Sequence, residues 1–293
     1  MLAEQIVNGL VVGGMYALIA LGFTLVFGLL DKLNFTHGEI VMVAGFVALV
    51  SLQLGLSIWL ALPVVLVVTA ALGLLIELLS FRKFTSRDGH SVSALSSFAL
   101  GIVFLEAIRL YFGAVPRNLD IAPSLYTSSI DILGTRIPLV KLATFAISVV
   151  LMAGLHLFMA RTRAGRSIRA VAEAPTAAML LGINVTRVTQ YVFALASAMA
   201  GFAGLLLAMQ TGIVNPEVGL TFALKGIAIM AIGGMGDLRG AVVAGLLVGV
   251  LEGIAFHFGL GAISDVLVWF VMIIVLLVKP TGLLGGGRAE ARA

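Results

Sequence analysis

Residues 161–190 read RTRAGRSIRAVAEAPTAAMLLGINVTRVTQ, the longest polar interruption in an otherwise apolar chain. They carry five arginines, Arg161, Arg163, Arg166, Arg169 and Arg187, against one acid, Glu173. Long apolar runs flank them, 139–160 before and 191–209 after. A basic loop between two membrane spans belongs on the cytoplasmic side, because lysine and arginine resist translocation. Within it Ile168, Val171, Ala172, Met179 and Ile183 recur at about helical spacing, and Leu180 and Leu181 widen the stripe. Pro175 divides the stripe into two short helices, and Gly182 followed by Asn184 reads as a stop. A loop that only sets topology needs no apolar stripe. One that docks in a partner's groove does.

The rest of the chain supports a membrane setting. Of its 293 residues, 61% are hydrophobic and 11% charged. Runs of 18 or more apolar residues recur along it, which indicates an all-α, polytopic inner-membrane bundle forming one domain over residues 1–293. Alternating ten-residue segments are missing, so an outer-membrane barrel is excluded. With no cysteine, disulfides, thiol catalysis and thiolate metal sites are excluded together. The net charge of +4 reflects cytoplasmic loops, since no basic run is interleaved with aromatics as nucleic-acid binding requires. The start, MLAEQIVNGL, has no basic n-region or cleavage signature and reads as part of a retained first span.

In order, the apolar segments are 6–30, 40–54, 58–80, 92–112, 139–160, 191–209, 222–235, 240–258 and 263–278. Two of them, 40–54 and 222–235, are short for a bilayer, so eight to ten transmembrane or re-entrant segments are expected. The basic stretch 81–90, the loop 161–190 and the tail 279–293 belong inside. The segment 113–137 lacks a basic excess and suits the outer face, placing the N-terminus outside and the C-terminus in the cytoplasm. Residues 14–47 and 219–249 echo each other, each an apolar glycine-rich run broken by a short polar stretch; transporters use such paired breaks near their substrate path.

Asn34-Phe35-Thr36-His37-Gly38-Glu39 is either a helix–helix turn or a broken helix lining a pathway. His37 and Glu39 are two apart and do not share a helical face, so no metal pair is expected. Glu106 and Arg109 stand three apart inside a span and suit a structural ion pair. Glu77 is within reach of Arg82 or Lys83. Lys225 either snorkels to the interface or meets an anionic group in transit. Gly245, Gly249 and Gly253 share one helix face and signal a close helix contact, internal or between copies. No phosphate-binding GxxxxGK[ST] loop, HExxH pair or catalytic serine–histidine set occurs, and no span carries the clustered acids of a proton relay. Energy for active transport would then enter from another subunit.

Five blocks carry a family resemblance: NGLVVGGMYALIALGFTLVFGLL (8–30), LNFTHGEIVMVAGF (33–46), RTRAGRSIRAVAEAPTAAMLLGINVTRV (161–188), NPEVGLTFALKGIAIMAIGGMGDLRGAVVAGLLVGVLE (215–252) and LLVKPTGLLG (276–285). Together they resemble the permease subunits of binding-protein-dependent ABC importers for branched-chain amino acids, in particular the shorter of the two permease types. The resemblance implies that Arg166, Arg169, Ala170, Glu173, Ala174, Met179 and Gly182 belong to the segment that couples to the ATPase. Pro175 and the missing Leu-Pro depart from the commonest form of that motif. It also implies a second permease chain, two ATP-binding subunits that hold ATP and magnesium, and a periplasmic binding protein, with no cofactor in this chain. Asn34, His37, Glu39 and Lys225 are candidates for the translocation path. Permeases for urea, short-chain amides and sugars are the nearest alternatives, and an ion-coupled secondary transporter is the rival from another class.

Overall fold

The computed structural model describes residues 2–84, 89–119, 128–132 and 135–285; much of the stretches 81–90 and 113–137, and the tail arginines Arg288 and Arg292, lie outside them. The helices are α1 (Leu2–Leu30), α2 (His37–Gln53), α3 (Ile58–Ile76, continued by a π-helical turn Glu77–Phe81), α4 (Gly89–Phe112), α5 (Leu139–Arg161), α6 (Arg163–Glu173), α7 (Pro175–Leu180), α8 (Val185–Thr211), α9 (Val218–Gly233), α10 (Leu238–His257) and α11 (Ser264–Val278). Seven of them are long and apolar enough to cross a membrane, while α2 and α9 are shorter apolar helices. The polytopic helical bundle expected from the sequence is therefore present, with nine apolar helices among the described residues, one for each apolar segment of the sequence.

The two short segments start earlier than their apolar runs. Helix α2 begins at His37 and α9 at Val218. His37, Gly38 and Glu39 are thus helical rather than part of a turn. Both helices are apolar on all sides, as suits elements surrounded by other helices or lipid.

Helices α1 and α8 form the centre of the bundle, and α4 and α11 lie at its margin with few of their residues buried. The glycine face of α10 decides the packing of α1. A Cβ at Gly13 would lie 2.9 Å from the Gly245 carbonyl, and one at Gly249 would collide with the Gly13 backbone. The glycine series is an internal seam between α1 and α10, where small residues let two backbones touch in lipid. The two segments that echo each other lie together, α1 against α10 and α2 against α9.

Short strands close the end of the bundle remote from the 161–190 segment. Arg117 and Asn118 pair antiparallel with Val214 and Ile213, and residues 129–132 pair antiparallel with 135–138. At the arginine end, buried Glu77 pairs with Arg82 at 2.8 Å, as its spacing allowed.

Candidate functional site

The arginine-rich stretch folds as two helices with a kink at Pro175. Thr162 caps α6, its hydroxyl accepting from the Gly165 amide at 3.0 Å. Pro175 occupies the first turn of α7, where its missing N–H costs nothing. Gly182, at φ +81°, ends α7. Its N–H reaches the Met179 carbonyl and the Ile183 N–H reaches Ala178, closing both bonds of a left-handed cap. Asn184 belongs to the next element, capping α8 through the Arg187 amide at 3.0 Å.

The apolar stripe does not form one face. Ile168 and Val171 are buried in the bundle, whereas Met179, Leu180 and Leu181 point outward, Leu180 at 85% exposure. Ala174, with φ −147° and ψ 85°, breaks the helical phase between the two groups. Helix α6 is strongly amphipathic and is held by its apolar side, and α7 presents the free hydrophobic tip. Arg166, Glu173 and Ala174 are exposed and Ala170 is half-buried. The Arg169 guanidinium donates to the Met159 carbonyl and ties α6 to the end of α5.

Space surrounds this element. A cavity of about 900 Å³ lies between α6 and the ends of α1, α5 and α11 and the α9–α10 turn, with His156, Ile168, Arg169 and Asp237 among its lining. A second, of about 390 Å³, lies on the other flank beside Asp31, Val171, Glu173 and Pro175.

Deeper in, Asn34, Thr36, His37 and Glu39 are all buried. His37 packs its ring against Phe23, centroids 4.6 Å apart, beside Gly22, eight residues before the end of α1. At 1.5 Å per residue that is about 12 Å inside the bundle. The chain 31–36 therefore turns back into the molecule before α2 begins. Thr36 donates to the Ser97 carbonyl at 2.5 Å, and the Phe35 amide donates to the Ser97 hydroxyl at 3.1 Å, which fixes the break against α4. The two polar side-chain atoms of Asn34 and the Glu39 Oε2 have no hydrogen-bond partner among the described residues.

Gly38 and Gly219 let α2 and α9 meet. A Cβ at Gly38 would strike the Gly219 carbonyl, and one at Gly219 would strike the Glu39 carboxylate. The first turns of the two short helices therefore touch inside the bundle. Above Glu39, Arg109 pairs with Glu106 at 2.6 Å and also with Glu217, joining α4 to the residue before α9.

Lys225 stands about 200° around α9 from Ala223 at 100° per residue. Its ammonium donates to the Tyr16 hydroxyl and to Glu252, both at 2.9 Å, and pairs with Asp265 at 2.7 Å; Tyr16 donates to Glu252 at 2.7 Å. It is a clasp joining α1, α9, α10 and α11, and not a lone side chain reaching for the interface. Tyr16, Asp265, Glu217 and Ser97 were not singled out in the sequence, because their partners lie tens to hundreds of residues away and no local spacing signals them.

Comparison with known proteins agrees with the earlier resemblance. A family model described as branched-chain amino acid transport system / permease component matches residues 5–276. The high-affinity branched-chain amino acid transport system permease protein BraD of Pseudomonas aeruginosa is 34% identical over 98% of this chain and 97% of its own. LivH of Escherichia coli K12, similarly described, is 32% identical over 98% and 96%. LivM of Salmonella typhimurium is 27% identical over 94% of this chain and 69% of its own. No solved structure matches. The chain belongs to the branched-chain amino acid transport permease family.

Proposed function

We infer that this chain is a membrane-spanning permease subunit of an ATP-driven importer for branched-chain amino acids. The observation that carries the reading is the match along essentially the whole chain to permeases of that description. A single bacterial-inner-membrane permease domain is the unit. Its N-terminus lies outside and its C-terminus in the cytoplasm. This orientation rests on charge. The end bearing α6 and α7 also carries Lys32, Arg82, Arg239 and Lys279, and an excess of lysine and arginine marks the cytoplasmic side.

The assembly has a second permease chain (identical or homologous), two cytoplasmic subunits that bind ATP and magnesium, and an external substrate-binding protein. ATP hydrolysis belongs to those partners, and this chain supplies path and coupling. The exposed tip Met179–Leu181 and the exposed Arg166, Glu173 and Ala174 form the contact with the ATPase. Gly182 closes the tip, and Ala170 and Arg169 hold α6 to the bundle. The cavities flanking α6 leave room for it to shift as a rigid body when the ATPase closes. Cargo passes the first turns of α2 and α9, by Asn34, His37 and Glu39, with the Lys225 clasp bracing the opposite flank of α9.

The test is reconstitution in proteoliposomes with the partner subunits. Uptake of leucine that requires ATP, the ATPase subunits and the binding protein is the expected result. Uptake by this chain alone, driven by a sodium or proton gradient, would overturn it.

A further inference from the structure

Among the described residues three glutamates are buried within the helices: Glu39, Glu77 and Glu252. Two are satisfied. Glu77 holds Arg82, and Glu252 holds Tyr16 and Lys225. Glu39 differs. It is 7% exposed, and its Oε2 has neither solvent nor a hydrogen bond. A carboxylate left so is costly, and a chain that pairs its other two buried acids has left this one open.

The surroundings are shaped around it. Gly219 keeps the first turn of α9 clear of the carboxylate, and a Cβ at Gly101 of α4 would come within 3.3 Å of the Glu39 side chain. The nearest cation, Arg109, is already shared by Glu106 and Glu217. With Arg109 so engaged, no cation of this chain pairs with Glu39 among the described residues, so a buried carboxyl there stays neutral until a cation arrives to ionise it. A divalent metal needs several oxygen ligands, and no group of three potential ligands converges among the described residues. An ammonium group needs acceptors and tolerates apolar neighbours along its stem.

We propose that the Glu39 carboxylate is the binding group for the α-ammonium of the transported amino acid, exposed when the first turn of α9 swings away from α2. This deepens the transport reading and rests on it. The chain before α9 is a two-residue strand, Ile213–Val214, followed by a turn at Asn215–Glu217, so the first turn of α9 moves about a non-helical joint. Amides in the first turn of α9 have no partner within the helix and supply donors for the cargo carboxylate. The Arg109–Glu217 pair lies over the site as its latch. A permease so equipped distinguishes zwitterionic amino acids from uncharged amides and sugars within the membrane, after the binding protein has made its own selection.

The proposal is tested on the purified full-length permease with the hydrophobic reagent dicyclohexylcarbodiimide, which adds to a protonated carboxyl and so labels Glu39 only while no ammonium ionises it. Modification of Glu39 is read by peptide mass spectrometry, with Glu39→Gln as the assignment control. Leucine or isoamylammonium, at about ten times its Kd, is expected to slow labelling at Glu39 by about tenfold. 4-Methylpentanoate, which has the same carbon chain but no ammonium, should leave labelling unchanged. Equal labelling in every case, protection by 4-methylpentanoate, or no labelling of the empty protein would each overturn it. Leucine uptake by the assembled importer is measured in parallel. Uptake without protection removes only the Glu39 assignment, whereas no ATP-dependent uptake removes the transport reading itself.

Discussion

At the scale of single residues, the Lys225 clasp shows how ionisable groups are held within an apolar bundle. Lys225 and Glu252 have side chains only 12% and 7% exposed, and both are saturated by hydrogen bonds. Removing one partner of such a pair strands the other charge. Lys225→Met should therefore cost about 3–5 kcal/mol, read as a lower melting temperature of the detergent-solubilised protein. Tyr16→Phe removes hydrogen bonds without creating a charge and should cost about 1 kcal/mol, the scale found inside membranes. The double change Lys225→Met with Glu252→Leu should recover much of the loss, because no unpaired carboxylate remains in the core. Strict additivity of the two single effects would show that the pair does not act as a unit.

At the scale of elements, glycines decide which helices touch. A Cβ at Gly249 would collide with the Gly13 backbone, while one at Gly154 on α5 meets nothing within 4 Å. Gly249→Ala should thus destabilise the bundle by about 1–3 kcal/mol through overpacking. Gly154→Ala should stabilise it by about 0.5–1 kcal/mol through helix propensity. Chemical denaturation of the two variants side by side checks both signs. The contrast also explains what the sequence could disclose. Nine apolar runs punctuated by polar breaks give nine apolar helices among the described residues, because each run must be buried or face lipid whatever its partner. The spacing of Gly245, Gly249 and Gly253 announces a close contact but not its other side, which is Gly9 and Gly13 some 240 positions away. The helical stripe in 161–190 was legible as amphipathic. Its division between a buried α6 and an exposed α7 was not, because it depends on the dihedral angles of the single residue Ala174. Of the candidate path residues, Asn34, His37 and Glu39 stood out as polar residues between oily flanks. Their convergence with Gly219 arises only when α2 and α9 meet, which no local pattern encodes.

For the molecule as a whole, the coupling role proposed for residues 161–182 requires a part fixed to the bundle and a part left free for a partner, with space for the assembly to move. Helix α6 supplies the first through Ile168, Val171 and the Arg169 bond to Met159. Helix α7 supplies the second through Leu180 and Leu181, at 85% and 81% exposure. This division makes different mutations separable. Reversing the charge of Arg169 would break the α5–α6 joint as well as the outer surface, so it reports on both at once. Leu180→Ser with Leu181→Ser changes only the free tip. It should leave insertion and melting temperature unchanged, because neither side chain is packed in this chain. In the reconstituted importer it should lower ATP-dependent uptake by about tenfold or more, in the range of a coupling energy of about 1–3 kcal/mol. ATP hydrolysis should persist but lose its stimulation by the loaded binding protein, since the engine would turn without its grip on the permease. Full uptake by the double variant would move the coupling contact away from α7, leaving the exposed arginines of α6 to carry it.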